Sequence, residues 1–146
     1  MNAVLFRTFA AGLLVLAAGA AHAATPDIAG LWESFDDQGA PSGYVRIAHR
    51  DDGYFGVIER GMPGEAPKYC TACEGPLHGK PLIGMEIITG VQPQGDFYGG
   101  GHILDPFSGN VYHVHLTPSA DGTHLQVRGY FGIPLIGRTQ TWVRSQ

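Results

Sequence analysis

The chain has 146 residues, 44% hydrophobic and 15% charged, with a formal net charge of −4 at pH 7. That length suits one domain with a modest core. The charges are scattered, with no basic stripe or nucleic-acid-binding motif, which argues against a nucleic-acid partner.

In chain order, the first element is a targeting segment. Arg7 gives a small positive start, Phe9 to Ala20 is an uncharged apolar run, and Ala21-His22-Ala23 gives an A-x-A cleavage pattern. The run is shorter than the roughly 18–20 residues a membrane span needs, and no second run follows. Residues 1–23 are therefore expected to be a cleaved signal peptide. Residues 24–146 are the expected single domain, periplasmic or secreted and not membrane-spanning.

From residue 24 onward, no stretch longer than nine residues lacks a Gly or Pro. A globular helix wants roughly 8–20 uninterrupted periodic residues, whereas a strand wants about 4–8. The punctuation predicts an all-β domain of eight strands: Leu31–Phe35, Tyr44–Arg50, Tyr54–Arg60, Met85–Thr89, Asp96–Leu104, Val111–Thr117, His124–Tyr130 and Arg138–Arg144. Turn chemistry at Asp51-Asp52-Gly53, at 105–109 and at Asp121-Gly122 makes successive strands antiparallel neighbours. Eight such strands are the count at which an up-and-down sheet closes into a small barrel.

The pleat is legible in the last hairpins. Tyr112, Val114 and Leu116 share one face, and His113 and His115 the other. Leu125 and Val127 oppose His124, Gln126 and Arg128. A tight turn at 121–122 brings the two apolar faces together, leaving a core side and a water side. Gly99-Gly100-Gly101 falls inside a strand pattern and reads as a bend or bulge.

The connector Gly61–Pro81 is long and carries four prolines, as expected of an ordered crossover or lid. It holds both cysteines, Cys70 and Cys73. An even count in an exported protein favours a disulfide. A metal site and a redox centre are the alternatives. Gly75 and Pro76 forbid the helix that redox chemistry wants, and two cysteines are half a zinc site. An echo, Gly79–Gly84 against Gly132–Gly137, reads as two similar strand starts. Its alternative reading is a paired apolar rim in which Leu82, Ile83, Leu135 and Ile136 guard a mouth.

A turn pairing Asp105 with Asn110 would set His102 across from His113, with His115 further along the same face. Those three imidazoles are a weak metal candidate, because solvated strand faces often carry His. There is no G-x-S-x-G, no H-E-x-x-H and no P-loop, so no catalytic residue and no cofactor is expected.

Gly30-Leu31-Trp32 resembles the opening signature of lipocalins, in which the Trp closes the base of the barrel beneath an Arg from the last strand. By that resemblance Trp32 would be covered by Arg144, or otherwise Arg138. A longer match carries Gly30-x-Trp32, Cys70-x-x-Cys73, Lys80-Pro81-Leu82-Ile83-Gly84, Gly100-Gly101-x-Ile103-x-Asp105-Pro106, Gly109-x-x-Tyr112, Val127-Arg128-Gly129-Tyr130 and the closing run 137–144. In order and spacing it resembles the bacterial exported family called domain of unknown function 2147. The resemblance implies a lipocalin-like, calycin-type barrel in the bacterial envelope and no established activity. The expected function is non-enzymatic binding of a small apolar or amphipathic molecule. Leu82, Ile83, Leu135 and Ile136 would form the rim, and Tyr112 and Tyr130 would offer hydroxyls to a polar head. The alternative is a filled barrel acting as a structural or interaction protein of the envelope.

Overall fold

The computed structural model describes residues 24–146, so the expected signal peptide lies outside the described residues. Eight strands follow in order: β1 (Gly30–Phe35), β2 (Pro41–Arg50), β3 (Gly53–Arg60), β4 (Glu86–Gln94), β5 (Phe97–Leu104), β6 (Val111–Pro118), β7 (His124–Tyr130) and β8 (Gly137–Ser145). Each pairs antiparallel with the next, and β8 returns to β1 to close the barrel. That last seam is short, joining Leu31 to Ser145, Trp32 to Arg144 and Glu33 to Val143.

All eight expected strands are present, and their limits differ most at β4. It runs past Thr89 to Gln94, because Gly90 takes φ +66° and carries the strand onward instead of ending it. Pro93 still pairs with Tyr98. The glycine triplet in β5 is a bulge: pairing with β6 shifts register between Tyr98 and Gly101. A Cβ at Gly101 would collide with the β4 backbone around Thr89 and Val91, so only glycine permits this approach.

Alternation builds the core. Leu116 pairs with Val127, while His115 pairs with Arg128 on the opposite face. The inward set includes Trp32, Val45, Ile47, Ile88, Val114, Leu125 and Trp142, all buried. The outer face carries exposed ion pairs such as Arg46–Glu59 and Arg50–Glu86. Among the described residues no helix is long and apolar enough to cross a membrane.

The connector between β3 and β4 folds back on itself. Tyr69 bridges to Pro81, and the Cys70 and Leu82 amides donate to the carbonyls of Lys80 and Lys68. A disulfide joins Cys70 to Cys73. Both cysteines are buried with Leu82, Met85, Ile87 and Leu104 in the hydrophobic cluster. The only helical turn among the described residues is the short one at Gly75–Leu77. The echoed hexapeptides are not strand starts. The first lies wholly in the connector before β4, and the second lies in the connector before β8 except for its closing Gly137, the first residue of that strand; in each a turn follows the Pro.

Candidate ligand-binding site

The two ends of the barrel differ. At one end residues 25–29 cross the opening and seal it. The buried Trp32 indole donates to the Ile28 carbonyl at 2.8 Å. The Arg144 guanidinium lies 4.2 Å over the Trp32 ring and donates to the carbonyls of Ala29, Asp27 and Gly122 at 2.8, 2.7 and 2.6 Å. Gly30, at φ +140°, leaves room for that guanidinium, which a Cβ would strike. This gives G-x-W a physical reason: the glycine makes space for the Arg, and the Arg ties two chain segments to the Trp. The Tyr98 hydroxyl adds a bond to Pro26 at 3.1 Å. Burial, with the Asp27 carboxylate alongside, pushes the Tyr54 hydroxyl up to about 12.

The opposite end is open. The β1–β2, β3–β4, β5–β6 and β7–β8 connectors surround a cavity of about 1090 Å³. Phe35, Ile58, Leu82, Ile103, Val127 and Trp142 give it an apolar wall. Polar groups on the wall are satisfied within the protein. Ser34 and Ser42 share a 3.0 Å hydrogen bond, and the Trp142 indole donates to Gln140 at 3.2 Å. Gln140 in turn donates to Asp37 at 3.4 Å, beside a 2.7 Å ion pair between Arg138 and Asp37.

Five of the six residues expected at the rim line this cavity: Leu82, Ile83, Tyr112, Tyr130 and Ile136. Leu135 does not, and stands 83% exposed on the β7–β8 connector. Tyr112 packs its ring on Phe131 at 4.4 Å. Tyr130 pairs with His113 across the ladder, which puts its side chain on the outer face. Its hydroxyl is hydrogen-bonded to His115 Nε2 at 3.1 Å and is not offered to the cavity.

The three histidines do not converge. His102 and His113 are paired, with ring centroids 5.0 Å apart. His115 is held by the Tyr130 hydroxyl and lies against Phe97 at 4.3 Å. Burial, with a smaller effect from Arg128, lowers its pKa and favours the neutral ring. Among the described residues, no group of three or more His, Cys, Asp or Glu is placed to hold a metal.

Sequence reasoning missed Asp37, Gln140 and Phe35. The signal for Gln140 was present in β8, where Arg138, Gln140, Trp142 and Arg144 alternate and share the inner face. Nothing local marks Asp37, whose position depends on where the first connector folds.

With the geometry in place, residues 30–144 match the family described as "Uncharacterized protein conserved in bacteria (DUF2147)". The chain belongs to this family. A solved structure titled "Protein HP1028 from the human pathogen Helicobacter pylori belongs to the lipocalin family" is similar to it, with a TM-score of 0.74. The two share 19% identity over 84% of this chain and 85% of that one, so the likeness concerns the fold. No curated protein matches the sequence significantly. This member of the DUF2147 family is thus a lipocalin-like barrel with one sealed end and one open end.

Proposed function

We propose that this protein is a non-enzymatic carrier or receptor for a small, partly apolar molecule, held in the open end of the barrel and acting in the periplasm. The observation that carries the reading is the cavity of about 1090 Å³ above a sealed base. Typical small-molecule sites run from roughly 300 to 1,000 Å³, and barrel mouths are a favoured place for them. A barrel serving only as a structural element would fill that space with side chains. Here Ile103, Tyr112, Gly129 and Trp142 line open space instead. The apolar wall suits a hydrocarbon or ring system, and the polar groups nearer the mouth suit a head group.

The A-x-A segment supports that location, as does the disulfide, a bond that persists in oxidising compartments. Cell fractionation checks it: the mature chain, starting at Ala24, is expected in the periplasmic fraction. The binding test is native mass spectrometry of protein purified from that fraction, with titration of the uncharged dye Nile red into delipidated protein. An adduct of non-protein mass, or a saturable dye signal displaced by an alkyl amphiphile, is the expected outcome. A bare mass together with no dye binding would favour the interaction-protein reading.

A further inference from the structure

The charged side chains that line the cavity are Asp36, Asp37, Glu65, Asp105, Lys68 and Arg138, four acids against two bases. Both bases already have a carboxylate. Arg138 Nη1 is 2.7 Å from Asp37, and Lys68 Nζ is 2.9 Å from Glu65. The remaining acids, Asp36 and Asp105, are tied into turns. Asp36 accepts from the amides of Gln38 and Ala40. Asp105 accepts from the Phe107 amide and the Ser108 hydroxyl. Those bonds fix the carboxylates at the mouth without adding a positive charge. A formal surplus of two negative charges therefore stands where a head group would sit, and no lining cation is left unpaired.

Aromatic faces add to this. Lys68 Nζ lies 6.0 Å over the Phe107 ring, so that face already receives a cation in the native arrangement. Phe35, Tyr112 and Phe131 also line the cavity. We infer that the site is selective by charge: it takes amphiphiles with a cationic or neutral head and disfavours carboxylate or phosphate heads. The inference rests on the binding reading above and specifies its ligand class. An anionic head would have to share Arg138 or Lys68 with the carboxylate each already holds, and would meet the repulsion of that carboxylate and of Asp36 and Asp105. An ammonium or hydroxyl head would not.

The test is displacement of Nile red by dodecylamine, dodecanol and dodecanoate, each below its micelle concentration, at neutral pH and low ionic strength. Equal chains isolate the head group. Dodecylamine and dodecanol are expected to displace the dye at concentrations about ten-fold lower than dodecanoate. Added salt should narrow that gap, because the mouth is solvated and screened. Two variants shift the balance in opposite directions. Asp37→Asn removes a carboxylate and frees Arg138, so dodecanoate should bind several-fold tighter. Arg138→Gln removes the cation, so dodecanoate should weaken further and dodecylamine should not. Dodecanoate displacing the dye as well as the amine, or a preference unmoved by both variants, would overturn the charge selectivity and leave the binding reading standing. Failure of Nile red itself to bind, with no displacement by any amphiphile, would bring down both.

Discussion

At the scale of single residues, Arg144 holds the sealed base. It covers Trp32 and donates to three backbone carbonyls from two separate segments. Replacing it leaves those acceptors short of a donor and uncovers the indole. Arg144→Met is expected to cost about 2–4 kcal/mol in urea unfolding. Gly30→Ala should approach that loss, since the new Cβ strikes the same guanidinium. Asp121 supports a different test. Its carboxylate accepts from the Ser119 hydroxyl, the Thr123 amide and the Thr123 hydroxyl. Those bonds hold its pKa down to about 2. A depressed folded-state pKa contributes stability above the unfolded carboxylate value of about 3.9, and that contribution is lost as pH falls through the folded value. The wild type should therefore exceed Asp121→Ala in stability at neutral pH, with the difference shrinking between about pH 4 and pH 2. Urea midpoints measured across that range decide it. A difference constant with pH would mean that the turn owes nothing to the ionised carboxylate.

At the scale of elements, the two rim connectors solve one problem by different means. The β3–β4 connector buries its cysteines and Leu82 against the barrel and is closed by a disulfide over a very short loop. So short a loop restricts the unfolded chain only modestly. Cys70→Ser with Cys73→Ser should cost about 2 kcal/mol on the chain-entropy estimate. The far-UV spectrum of the barrel should be retained, and proteolysis within 61–85 should become faster. The β7–β8 connector instead leaves Leu135 and Ile136 exposed, at 83% and 72%. Arg128 holds its backbone, donating to the Pro134 and Leu135 carbonyls at 2.6 and 3.1 Å and to Thr139 at 2.7 Å. The two hexapeptides echo each other in sequence, yet the first buries Leu82 while every residue of the second is exposed. What separates them is the neighbouring chain: the first is bonded to residues 68–70 of its own connector and to Ile58 of β3, whereas the second is tied through its Pro134 and Leu135 carbonyls to Arg128.

At the scale of the whole molecule, an open cavity and a stable barrel make opposing demands. Apolar wall left uncovered loses packing that a filled core would gain. Gly129 sits at that boundary. It lines the cavity, and a Cβ there would meet Tyr112 and Ile103 only at ordinary contact distances of 3.5–3.7 Å. Gly129→Leu should leave thermal stability unchanged or raised, since a strand glycine is replaced and wall is covered. Nile red affinity should fall about ten-fold or more as the lumen fills. A large drop in melting temperature would show that the space is not available to a side chain.

The strand count, the antiparallel order and the inward face of every well-patterned hairpin were legible in the sequence. Gly and Pro leave room only for short strands, and a period of two assigns each side chain to a face whatever the strand packs against. The pairing of His102 with His113 followed from the length of one turn. The outward placement of Tyr130 was legible by the same rule, since it shares a face with Arg128. Three things depended on the closed structure: the backbone ties that seal the base, the cavity volume and the pairing of Arg138 at the mouth. Each involves residues far apart in the chain, such as Asp37 with Arg138 or Asp27 with Arg144. Local propensity sets which way a side chain points, but barrel closure sets which side chains meet across the lumen and how much space remains between them.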